Sequence, residues 1–122
     1  MDAGREMDAL VAEKVMGFTL IKNDGSFPEK WKEEPYLIKM KDGDLGQVPY
    51  YSTRIEDAWL VIEKMIKDGY GVSLEFADDH WVFSFREPIP VILSLWEEIR
   101  GEEAPYAISK GALMAYGVLQ EA

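Results

Sequence analysis

With 122 residues, 23 acidic against 13 basic side chains, a formal charge of −10 and 48% hydrophobic content, the chain is sized and composed for one domain with a real core. The lack of cysteine excludes disulfides, thiolate catalysis and Cys-ligated metal centres, and the net charge opposes association with duplex nucleic acid or an anionic membrane surface. No apolar run approaches the roughly 20 residues of a membrane span, and the acidic start Met1-Asp2-Ala3-Gly4-Arg5-Glu6 lacks the basic leader of an export signal; the expectation is a soluble cytoplasmic protein.

Residues 2–16 place Met7, Leu10, Val11 and Val15 at helical spacing, which predicts an amphipathic helix ended by Gly17. Phe18-Thr19-Leu20-Ile21 follows as a short β-prone run, closed by the turn signal Asn23-Asp24-Gly25. From there to Tyr51 the periodicity is poor and prolines recur at 28, 35 and 49, so the region reads as a long packed loop with one short strand at residues 36–40. Thr53 and Glu56 have the spacing of a capping box. The helix they open carries Ile55, Ala58, Trp59, Ile62 and Ile66 as its apolar stripe and ends at Gly69.

The clearest β signal comes next. Residues 70–76 and 81–86 both alternate, and a hairpin folded about Asp78 and Asp79 faces Phe76 with Trp81, Leu74 with Phe83 and Val72 with Phe85 on one apolar face. The other face receives Glu75 with Val82, Ser73 with Ser84 and Gly71 with Arg86. Pro88 and Pro90 stop the second strand. Val91, Ile92, Leu95, Trp96 and Ile99 lie at helical spacing and predict an extra helix within residues 88–103. A last helix starts near Pro105, a favourable first-turn residue, behind Glu102 and Glu103, which suit the positive end of its dipole. It runs through Ile108, Ala112, Leu113, Tyr116 and Leu119, with Gly111 and Gly117 either fraying it or allowing close packing.

Four segments in this order carry a family resemblance: Leu10-Val11-Ala12-Glu13-Lys14-Val15-Met16-Gly17, the stretch from Pro49 through Tyr51-Ser52-Thr53 to Ala58-Trp59, the hairpin with its Trp81, and Ala107-Ile108-Ser109-Lys110-Gly111-Ala112-Leu113. The chain resembles the phage ABA sandwich domain family of small phage and prophage proteins. The resemblance implies a single α/β (α+β) domain over residues 1–122, an antiparallel-containing sheet packed between helices, and action in the cytoplasm of a bacterial host. It implies no activity. Arg54 stands where the family pattern has an acid, and residues 88–103 look longer than the family's connection into the final helix.

Catalysis finds little support in the residues. His80 is the one histidine and sits at a turn with no Ser and acid placed around it. Asp42-Gly43-Asp44 lacks the remaining ligands of a calcium loop and reads as a turn, and no Gly-rich phosphate loop is present. Neither cofactor nor metal is expected. The candidate ligand site is Tyr50, Tyr51, Ser52, Thr53 and Arg54, where a helix N-terminus, hydroxyls, a guanidinium and aromatic rings coincide and suit an anionic nucleotide; Trp31 and Tyr36 supply further stacking surface. The structural alternative has Thr53 only capping and the tyrosines packed on the sheet. The stripe Val91, Ile92, Leu95, Trp96 and Ile99 is either core or the interface of a homodimer or higher oligomer. The functional expectation is a non-enzymatic accessory protein that captures a nucleotide signal or a host component, as in counter-defence. The alternatives are an acidic mimic of nucleic acid that inhibits a host enzyme, and an undetected hydrolase.

Overall fold

The computed structural model describes residues 1–88 and 96–119. Its elements in chain order are α1 (Arg5–Leu10) running into a wide π turn (Val11–Val15), β1 (Thr19–Lys22), a 3-10 turn (Glu29–Trp31), β2 (Tyr36–Lys39), β3 (Leu45–Gln47), α2 (Ile55–Lys67), β4 (Gly71–Ala77), β5 (His80–Arg86), β6 (Glu97–Gly101) and α3 (Ala104–Ala115). The class is α+β with antiparallel pairing throughout. The strands divide into two three-stranded sheets, ordered β1-β2-β3 and β4-β5-β6.

The N-terminal run buries Met7, Val11 and Val15, the spacing the sequence predicts. It ends through Met16 N–H donating to Val11 O at 2.9 Å and Gly17 at φ +82°, a conformation that favours glycine. The region read as a long loop contains β2 at its expected place and also β3, which pairs Leu37 with Gln47 and Lys39 with Leu45. Asp42-Gly43-Asp44 is the turn between them, with Gly43 at φ +91° and Asp44 N–H donating to Asp42 Oδ1 at 3.0 Å. The connection from β1 to β2 is held by Asn23, whose Nδ2 donates to Glu34 O at 2.8 Å and Lys32 O at 3.0 Å.

The β4–β5 hairpin has the expected register at every pair, from Gly71 with Arg86 to Phe76 with Trp81. Asp78 and Asp79 turn it at φ +53° and +64°, the paired positive angles of a two-residue type I′ turn. Residues 97–101, expected as part of a helix within 88–103, are instead a strand that pairs Ile99 with Phe83 and Glu97 with Phe85. The open edge of β5 supplies the ladder, and the period-2 set Glu97, Ile99, Gly101 shares the apolar face. A short amphipathic run fits either period, and the tertiary partner decided. Ile99 is therefore 4% exposed in the core, Trp96 lies exposed beside Gly71, and Val91, Ile92 and Leu95 fall outside the described residues.

α3 is the central element. It lies on β5 and β6 and also meets α1, the π turn and α2, and it buries Ala107, Ile108, Ala112 and Leu113. Gly111 allows the close approach: a Cβ there would stand 2.4 Å from Phe83 Cδ2. The helix stops at Ala115 rather than continuing to Leu119, because Gly117 turns at φ +77° and Val118 N–H returns to Leu113 O at 2.8 Å, a glycine C-cap.

Candidate functional site

The segment 49–54 is built around a buried carboxylate. Asp8 is fully buried on α1, and its Oδ1 accepts from Ser52 N–H at 2.8 Å and from Ser52 Oγ at 2.7 Å. Arg5 Nη1 donates to Asp8 Oδ2 at 2.8 Å. The same guanidinium donates to Pro49 O, to Val48 O and to both oxygens of Glu34, so its five N–H groups are all engaged. Gly4 N–H donates to the Ser52 hydroxyl at 2.9 Å, and Ser109 Oγ on α3 donates to Tyr51 O at 2.9 Å. This network ties α1, the 49–54 segment and α3 together, and each buried polar group in it has a partner.

The helix start differs from the expected capping box. Arg54 is the N-cap of α2, and no side chain makes a cap bond there. Asp57, in the first turn, instead reaches back to accept from Tyr50 N–H at 2.7 Å, while Tyr50 O takes the Arg54 N–H at 2.9 Å. Thr53 faces solvent. The segment reverses tightly enough that Asp57, not Glu56, is the carboxylate within reach.

Of the five expected ligand residues, Tyr51 and Ser52 are each 1% exposed. Ser52 has its hydroxyl committed to Asp8 and Gly4. Burial pushes the Tyr51 phenol up from its ordinary value, and the nearby carboxylates of Asp57 and Asp8 push the same way, so the side chain stays neutral. Tyr50 lies against two guanidinium groups, Arg5 at 3.9 Å and Arg54 at 4.2 Å from its ring centroid. The cavity beside Ser52 and Thr53, of about 450 Å³, is also lined by Asp2, Glu102, Glu103 and Tyr106. Three carboxylates line this space, Glu103 being the N-cap of α3, and it suits an anion poorly.

A larger concavity was not legible in the sequence. Between the β2–β3 sheet and α2 opens an apolar groove of about 660 Å³, floored by Met16, Phe18, Ile38, Met40, Tyr51 and Leu60, with Gln47, Glu63, Lys64 and Lys67 also lining it. Gly46 keeps its floor low, since a Cβ there would meet Met40 Sδ at 3.1 Å. Lys64 pairs with Asp68 one turn later on the same helix. The groove therefore joins aromatic and thioether surface to a mixed rim, with Lys67 in no ion pair among the described residues, Lys64 held by Asp68, and Glu63 beside them. Its strands come from the stretch read as a loop, so no periodic signal pointed to it. Trp31 and Tyr36, expected as stacking surfaces, line other depressions.

His80 sits exposed at the hairpin turn with Nδ1 2.9 Å from Asp78 O. Among the described residues no group of three or more His, Asp or Glu side chains could hold a metal, and no helix is long and apolar enough to cross a membrane.

Comparison with known proteins agrees with the resemblance drawn from the four segments. The phage ABA sandwich domain model matches residues 9–113. A crystal structure of a phage protein from Bacillus cereus ATCC 14579 is similar at 26% identity, covering 96% of this chain and 90% of that one, with a TM-score of 0.66. No curated protein matches the chain. The chain belongs to the phage ABA sandwich domain family.

Proposed function

We propose that this phage accessory protein acts by binding and not by catalysis, and that it captures a nucleotide-type signal of the infected bacterium in the groove between β2–β3 and α2. The observation that carries the reading is the pairing of an apolar, aromatic-bearing floor with Lys64 and Lys67 at its edge. Small-molecule sites have this composition: concave, largely apolar, with a few placed charges that fix orientation. A base or nucleoside lies on the half-buried Phe18 and Met16, and a phosphate meets the ammonium of Lys67, joined by Lys64 in exchange for its Asp68 partner. In a chain of charge −10 Lys67, in no ion pair among the described residues, is the first cationic contact on a rim that also carries Glu63, and its place beside an apolar surface favours an anion that also has an apolar body. Withdrawal of such a signal from its receptor is counter-defence, carried out in the host cytoplasm.

The test is thermal stability across mononucleotides, dinucleotides and cyclic nucleotides. A ligand present at 100 times its Kd stabilises the folded state by about 2.7 kcal/mol. A selective rise in melting temperature is expected, lost in Lys64→Ala/Lys67→Ala, with the ligand recovered unchanged. A flat panel removes nucleotide capture, and recovery of an altered ligand replaces binding with turnover.

A further inference from the structure

The two lysines of the groove are not equally available. Lys67 is exposed and in no ion pair among the described residues. Lys64 lines the groove, but its ammonium is turned along α2 to Asp68 and stands 5.8 Å from the Tyr116 ring centroid. Asp68, the C-cap of α2, also accepts from the hydroxyl of Tyr116, the C-cap of α3. The hydrogen bonds from Lys64 and Tyr116, and then the charges of Lys64 and Lys67, hold the Asp68 carboxyl below its ordinary value, so it is an anion at neutral pH. Glu63 lies on the same rim. At rest these charges cancel, Glu63 against Lys67 and Asp68 against Lys64, and such a rim holds an entering anion weakly.

The Lys64 contact is one that can be exchanged. Its two side chains are 30% and 33% exposed, and an exposed pair of this kind is worth a factor of about five at most. The ammonium sits on a flexible four-carbon stem, so it reaches a new partner by rotation of its own side chain, with no movement of the helix. Asp68 is not stranded when Lys64 leaves, because the Tyr116 hydroxyl stays on it and the rest of the carboxylate faces solvent. We infer that Asp68 is a built-in competitor for Lys64: the groove shows an entering anion one available cation, Lys67, and gains the second only when that anion takes Lys64 from Asp68. Asp68 thus sets affinity without touching the ligand, and removing its charge tightens binding. The inference rests on the groove reading for where the anion lies, and not on the anion's being a nucleotide, since any anion with an apolar body meets the same exchange.

The probe is 1-anilinonaphthalene-8-sulfonate, a dye with an aromatic body and one sulfonate whose fluorescence reports apolar surface, titrated into the full chain. Asp68→Asn should bind it about two- to fivefold more tightly. In the Lys64→Ala background the same substitution should change nothing, which is the mark of coupling between the two side chains. Gly46→Leu, which fills the floor, and Met40→Glu, which places a carboxylate at an exposed position of the groove, should each abolish binding. Trp59→Ser should leave it intact. Ile55, Trp59 and Ile66, expected in the apolar stripe of α2 by their spacing, are exposed and do not line the groove, so this variant tells that surface from the groove. Circular dichroism checks that each variant is folded. An affinity unchanged by Asp68→Asn overturns the inference. So does an equal gain in the Lys64→Ala background, which would reduce the effect to net charge. Dye binding that is absent, that survives Gly46→Leu and Met40→Glu, or that is lost in Trp59→Ser overturns the inference together with the groove reading. Dye binding with the expected Asp68 dependence beside a flat nucleotide panel removes the nucleotide and leaves the exchange standing.

Discussion

Asp8 is the residue on which the N-terminal half of the molecule closes. Its carboxylate is fully buried and is satisfied by Arg5, Ser52 N–H and Ser52 Oγ. Asp8→Ala strands all three donors, and removal of one partner from a buried charged pair costs about 3–5 kcal/mol; urea denaturation of the variant measures it. Gly111 works through the space it leaves. Alanine favours a helix interior by about 0.8–1.0 kcal/mol over glycine, but a Cβ 2.4 Å from the Phe83 ring forces repacking. Gly111→Ala should therefore destabilise by about 1–3 kcal/mol, and Phe83→Leu in the same chain should recover part of that loss. Asp68 contributes pH dependence. Hydrogen bonds from Lys64 and from the Tyr116 hydroxyl hold its carboxyl below the ordinary aspartate value. Its contribution is thus present above the unfolded-state value near 3.9 and is lost as pH falls through the lower folded one. Asp68→Asn should show a shallower acid limb in thermal unfolding followed from pH 5 downward, roughly the window of aspartate titration. Burial and the same Asp68 contact push the Tyr116 phenol up, so its contribution is lost instead at alkaline pH, above the unfolded-state value.

At the scale of elements, the β4–β5 hairpin is the clearest unit, and its turn admits improvement. Asp78 and Asp79 both stand at positive φ, which costs an ordinary L-residue roughly 1–2 kcal/mol and glycine almost nothing. Asp78→Asn/Asp79→Gly, the preferred type I′ pair, should raise stability by about 1 kcal/mol in equilibrium unfolding without changing the fold. This hairpin was legible in the sequence residue by residue, because each strand alternates and a one-residue slip would exchange its faces. α3 was legible for a similar reason, with Pro105 marking one end and the core residues Ile108, Ala112 and Leu113 at helical spacing. β6 was not. Trp96, Ile99 and their neighbours fit a helical wheel, and only the open edge of β5 selects the extended form. β3 is three residues long and includes a glycine, too short for periodicity to register, although Asp42-Gly43-Asp44 did mark the turn before it. The capping box failed for a geometric reason: Thr53 and Glu56 have the right spacing, but Asp57 is the carboxylate that reaches Tyr50 N–H.

At the scale of the molecule, the motif that looked most like a ligand site is largely structural. Tyr51 and Ser52 are held inside by Asp8, Gly4 and Ser109, and the free space at the start of α2 is acidic. Surface for binding arises where separate parts of the chain meet. The groove joins Phe18, Ile38 with Met40, and Leu60 from three segments, and one apolar face of α2 is exposed because the helix turns its Val61 and Met65 inward. Neither can be read from local pattern, since both depend on which face of α2 the rest of the fold covers.

Capture in the groove is tested most directly by isothermal titration of the intact protein with cyclic nucleotides and dinucleotides, followed by mass analysis of the released ligand. The account predicts saturable binding of at least one of them, loss of that binding in Lys64→Ala/Lys67→Ala, retention in Trp59→Ser, and recovery of the ligand unchanged. Absence of heat across the panel, or equal binding by the lysine variant, would contradict it.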